Sequence, residues 1–183
     1  MRVAGELQVE ACGLRFVETF RVVREQHAEG GAGEVSHAGE IDDHRALGIL
    51  YHNLGMEEAR QSHWDQAVAH FTEALECHRR IGNEEGLALT YSQLGKTFLE
   101  SGALRQAEKC LNNASEHFIK LGNAPGEAAV LRLLAALYVR EQNSASAIRC
   151  LERVLSLDQH YRLPELAGDT GLLAELRQSV PRP

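Results

Sequence analysis

The sequence predicts an all-α solenoid: helix pairs stacked in a row, with a capping helix at each end. Three observations predict it. Residues 51–90 laid over 91–130 without a gap share eleven of 40 positions, where unrelated chains of this composition would share on the order of two to four. A third, weaker copy follows at the same offset over 131–170, and self-similarity at roughly 20 to 50 residues is the mark of stacked repeats. Within each copy, apolar residues recur at i, i+3, i+4 and i+7, the spacing of a helix buried on one face. Finally, Ala and Leu dominate a chain with only 5% aromatic residues and 4 prolines, and that dominance favours helix.

Taken in order, residues 5–26 read as an N-terminal capping helix, with Leu7, Ala11, Leu14, Val17 and Val23 in register. Residues 27–42 (HAEGGAGEVSHAGEID) are Gly-rich and aperiodic and read as a flexible loop, with Asp42 and Asp43 suited to the start of the next helix. The repeats occupy 43–162, in register about 51–90, 91–130 and 131–170. In the second copy Tyr91, Leu94, Phe98 and Leu99 define one helix, which breaks at Ser101-Gly102. Leu104, Ala107, Leu111, Ala114, Phe118 and Leu121 define another, which ends at Gly122-Asn123, a left-handed C-cap signal. Small residues at 55/95/135 and 67/107/147 let the paired helices approach closely. Residues 163–179 read as a C-terminal capping helix, with Pro164 in its first turn and Leu166, Leu172, Leu173 and Leu176 covering the open end of the stack.

The pattern Tyr51-Leu54-Gly55-Ala67-Phe71-Ala74, echoed by Tyr91-Leu94-Gly95-Phe98-Ala107-Leu111-Ala114 and Leu131-Leu134-Ala135-Tyr138-Ala147-Leu151-Val154, resembles the tetratricopeptide repeat (TPR). The departures are Glu58 where the family has an aromatic residue, a missing proline after the second helix, and a unit of 40 residues rather than about 34. The resemblance covers about 43–158. It implies a right-handed solenoid and a protein-binding adaptor, with a regulatory sensor of a small signal peptide or a self-associating scaffold as alternatives.

Several function classes lose their support. A formal net charge of −7 gives no overall attraction for nucleic acid or anionic membranes. Cys12, Cys77, Cys110 and Cys150 form no CxxC pair. No stretch approaches a membrane span or a secretory leader, so a cytoplasmic protein with reduced thiols is expected. Gly95-Lys96-Thr97 copies the tail of a phosphate-binding loop, but Thr90 stands where its first glycine belongs, and the repeat places Gly95 inside a helix. His63, His70 and His78 are spaced by seven and eight, too far apart for a helical zinc pair. No metal, cofactor or catalytic constellation is expected, and no enzyme activity.

The resemblance also implies where a partner binds, because the first helices of such a solenoid line its concave face. The residues that fall there are His52, Asn53, Met56, Arg60, Leu89, Gln93, Lys96, Arg132 and Arg140, with Ile49 beside them. Arg60, Lys96, Arg132 and Arg140 face a single acid, Glu100, and so predict a basic groove for an acidic segment with apolar anchors. The basic and asparagine residues that clamp chaperone C-terminal carboxylates in some members are replaced by His52, Met56, Gln93, Ala129 and Leu133, so that ligand is not expected.

Overall fold

The computed structural model describes residues 37–161 and 166–179. The helix expected over 5–26 lies outside them, as does most of the stretch read as a loop. Among the described residues the chain forms α1 (His37–Arg60), α2 (Trp64–Arg80), α3 (Glu84–Ser101), α4 (Leu104–Lys120), α5 (Ala124–Arg140), α6 (Ser144–Tyr161) and α7 (Leu166–Ser179), with no strand. Helix α1 begins at His37, inside the expected loop 27–42, so Asp43 lies well within the helix instead of at its start. One interior glycine, Gly39, costs a helix about 1 kcal/mol against alanine, too little to stop a helix whose later turns pack on a neighbour.

Turn chemistry repeats with the chain. Gly82 and Gly122 close the second helices in the left-handed region (φ 63° in both). The next residue then starts the following helix: Asn83 Oδ1 accepts the Gly86 N–H (3.0 Å), and Asn123 Oδ1 accepts the Gly126 N–H (2.9 Å). The Gly-Asn pair therefore ends one helix and caps another. Inside the repeats, Gly102 takes φ 85°, and Ser62 and Gln142 are forced into the same region (φ 61° and 58°) because the turn between paired helices keeps one geometry.

The core is a string of small clusters, each shared by neighbouring helices. Ala67, Phe71, Leu75, Leu87, Leu94 and Cys110 join α2, α3 and α4. Ala88, Leu99, Leu111, Phe118, Val130 and Leu134 join α3, α4 and α5, and Ala135, Leu151 and Leu173 join α5, α6 and α7. This is the nearest-neighbour arrangement of a solenoid. Helix α3 touches α5 directly, whereas α2 and α4 do not approach each other among the described residues. The first helices therefore form the tighter face of the stack and the second helices the wider one. Helix α7 closes the far end through Leu173 and Leu176, while Leu172, expected to help, is 37% exposed. Leu172 and Leu173 are adjacent in sequence and point about 100° apart on the helix, so only one can face the stack.

Candidate functional site

The face formed by α1, α3 and α5 is the candidate site. Three large apolar residues of α1 and α3, Ile49, Met56 and Leu89, are exposed at 52%, 38% and 47%. Ile49 and Leu89 flank a cleft of about 280 Å³ between α1 and α3, which His52, His78, Asn83, Glu85 and Gly86 also line. His52 packs edge-on against Phe71 (5.7 Å between rings) and pairs through Nδ1 with Thr90 Oγ1 (3.0 Å). Burial lowers its pKa below the ordinary histidine value, and the neighbouring His78 lowers it further. Burial also lowers that of His78.

The other residues expected in the groove divide into two groups. Asn53 is exposed and Gln93 half-buried. Lys96 is exposed and holds only a loose pair with Glu100 one turn on (3.8 Å), and Arg60 does the same with Glu57 (3.3 Å). Such surface pairs cost little to break. Arg132 and Arg140 have structural partners instead. Arg132 Nη2 lies 2.8 Å from Asp169 of α7 and 3.4 Å from the fully buried carboxylate of Asp158 on α6. Arg140 Nη1 donates to the Leu99 carbonyl (2.6 Å), tying the end of α5 to the end of α3. The basic stripe is thus narrower than its sequence suggests. Asp158 and Asp169 come from helices outside the expected groove, and they neutralise the guanidinium at its centre.

The remaining sequence signals resolve into packing. A Cβ on Gly95 would lie 2.7 Å from Leu111, so glycine is there to let α3 and α4 touch. Thr97 Oγ1 donates to the Gln93 carbonyl within the helix (2.9 Å). Of the three spaced histidines, His63 bonds Glu58, His70 stacks on Tyr51 (6.1 Å) and His78 is buried at the cleft. Burial pushes the Cys110 thiol up to about 11, far from the reactive range of a nucleophile. Sequence reasoning missed His78, Asn83, Glu85 and Thr90. The available signal was the repeat register, which sets His78 and Gly86 at the positions of Phe118 and Gly126.

Among the described residues no helix is long and apolar enough to cross a membrane. Compared with known proteins, the chain matches the family model described as tetratricopeptide repeat, over residues 46–118 and 86–160. No curated protein matches it. Among solved structures it is similar to the crystal structure of BtubC (BKLC) from P. vanneervenii, with 21% identity and a TM-score of 0.67, covering 94% of this chain and 68% of that one. At that identity the likeness establishes a shared fold. With the family model spanning well over half of the sequence, and with helix pairs repeating every 40 residues in the structure, the chain belongs to the tetratricopeptide repeat family.

Proposed function

We propose that this protein is an adaptor that holds a peptide or helical segment of a partner protein against the face formed by α1, α3 and α5. The observation that supports it is the exposure of Ile49, Met56 and Leu89 on successive first helices, beside an open cleft. Apolar side chains gathered on one concave face, rimmed by polar groups, favour an interaction site. His52, Asn53 and Gln93 add hydrogen-bonding groups, while Arg60, Lys96 and Arg140 give one edge positive charge. The segment that fits carries apolar anchors and acidic residues on the side facing that edge.

Capture of partners by the purified chain tests the reading. Leu89→Asp places a charge on an apolar wall of the cleft, Lys96→Glu reverses an exposed cation, and Arg105→Glu alters the exposed start of α4. The expected result is a loss of about tenfold or more with Leu89→Asp, a severalfold loss with Lys96→Glu, and none with Arg105→Glu. A partner that ignores the first two and leaves with the third would move the site to the second helices and sink the proposal.

A further inference from the structure

The cleft between α1 and α3 has a polar floor whose hydrogen-bonding directions are fixed by its neighbours. His78, on the last turn of α2, lies between two glycines: a Cβ on Gly86 would come within 2.4 Å of its Nδ1, and one on Gly48 within 2.7 Å of its Cε1. Asn83 Oδ1 accepts the Gly86 N–H, so the other half of that amide is the donor, and Asn83 Nδ2 donates to His78 Nδ1 (3.2 Å). Nδ1 is therefore the acceptor, and the ring proton sits on Nε2. The same logic holds for His52. Thr90 is fully buried, and among the described residues its hydroxyl has His52 Nδ1 as its partner, so the hydroxyl donates there and His52 also carries Nε2–H. Burial keeps both rings neutral near pH 7. Among the described residues no hydrogen bond is found for either Nε2, and both rings line the cleft, His52 partly exposed and His78 at 3%.

The cleft thus offers two neutral N–H donors, one carboxylate at its rim (Glu85) and two apolar walls (Ile49 and Leu89). A carboxylate ligand would satisfy the imidazoles and repel Glu85. An ammonium would satisfy Glu85 and leave the N–H donors bare. A primary amide answers both, with its carbonyl oxygen for the imidazoles and its N–H for the carboxylate. Resting on the groove reading above, we propose that this cleft is a specificity pocket that takes an asparagine or glutamine side chain of the partner segment, its carbonyl directed to His78 and His52 and its amide N–H to Glu85.

The test uses the full chain and three capped probes, acetyl-Leu-Gln-Leu-methylamide and its Glu and Lys counterparts, followed by imidazole ¹⁵N and methyl NMR. The Gln probe should shift the Nε2–H signals of His52 and His78 and bind roughly tenfold more tightly than the other two, about the worth of one hydrogen bond. His78→Phe should abolish that preference; the equivalent position of the next repeat already holds Phe118 against Gly126. Glu85→Lys, on an exposed position, should turn the preference towards the Glu probe. Equal binding of the three probes, with the Ile49 and Leu89 methyl signals moving alike, would overturn the amide assignment and leave the groove reading standing. A Gln preference that both variants retain would overturn it as well. If no probe moves any signal on α1 or α3, both readings fall.

Discussion

The two ends of the repeat array fill one repeat position by opposite means. His78, Phe118 and Asp158 stand 40 residues apart in sequence, each on the last turn or two of a second helix, and all three are buried. At the near end the imidazole of His78 slides between Gly48 and Gly86, and at the middle the Phe118 ring sits on Gly126. At the far end a carboxylate occupies the position, and Arg132 crosses from α5 to meet it, drawing in Asp169 of α7. The position accepts a neutral ring or a charge, provided the facing helix supplies a glycine for the first or a guanidinium for the second. The choice has consequences for the groove. The neutral solution leaves an open cleft with spare donors, while the ionic one consumes a cation of the groove and docks the last helix.

Removing one side of the ionic solution should show the largest effect. Asp158→Ala opens a cavity beside Arg132 and leaves it Asp169 as its counter-ion, and we expect a loss of about 3 kcal/mol in urea unfolding. Changing Arg132→Met and Asp169→Ala in the same chain should recover much of that loss, since the ionic cluster as a whole has little net value once all three charges are gone. Next, Gly86→Ala and Gly126→Ala should each cost about 1–3 kcal/mol, because the rings of His78 and Phe118 stand where the new methyl must go. A double mutant with His78→Ala should cost less than the sum of the single changes, which a thermodynamic cycle measures.

A pH titration of stability sharpens the contrast further. His52 and His78 have folded-state pKa values below the ordinary 6.5, so the unfolded chain binds protons more readily than the fold. Their contribution is fully present above pH 6.5 and is lost as pH falls from there through the lowered folded values. His78→Phe should flatten that acid-side decline in melting temperature while changing stability at pH 8 by less than about 1.5 kcal/mol. The smallest effects lie in the turns. Ser62→Gly and Gln142→Gly should each stabilise by up to about 1 kcal/mol by relieving a left-handed backbone, and Gly102→Ala should do the reverse by a similar amount.

Much of this fold was legible in the chain because a repeat states its rules more than once. Gly55 and Gly95 mark close helix contacts, and a Cβ at either would strike Phe71 or Leu111. Gly82 and Gly122 mark helix ends, and both take positive φ. Where the sequence reading went astray, a local signal was outweighed by distant groups. The Gly-rich run before α1 suggested a loop to residue 42, but the helix reaches back to His37. Arg132 occupies a groove position by its place in the repeat, yet its partners lie 26 and 37 residues away, on helices that the groove pattern does not include. His78 looked like one of three surface histidines until glycines on two other helices were seen to enclose it.

The sequence by itself determined the family, the helix pairing and the small residues at each crossing, since hydrophobic period and glycine placement act within one repeat and recur in the next. Only the tertiary structure decided which polar groups remain available. A side chain's charge is written in the sequence, but whether it faces a partner or an internal counter-ion depends on which helices come within about 4 Å of it, and Coulomb and hydrogen-bond energies are settled at that range. Arg132 and Lys96 both fall on first-helix positions read as groove-facing, yet the fold withdraws one into an ion pair and leaves the other exposed.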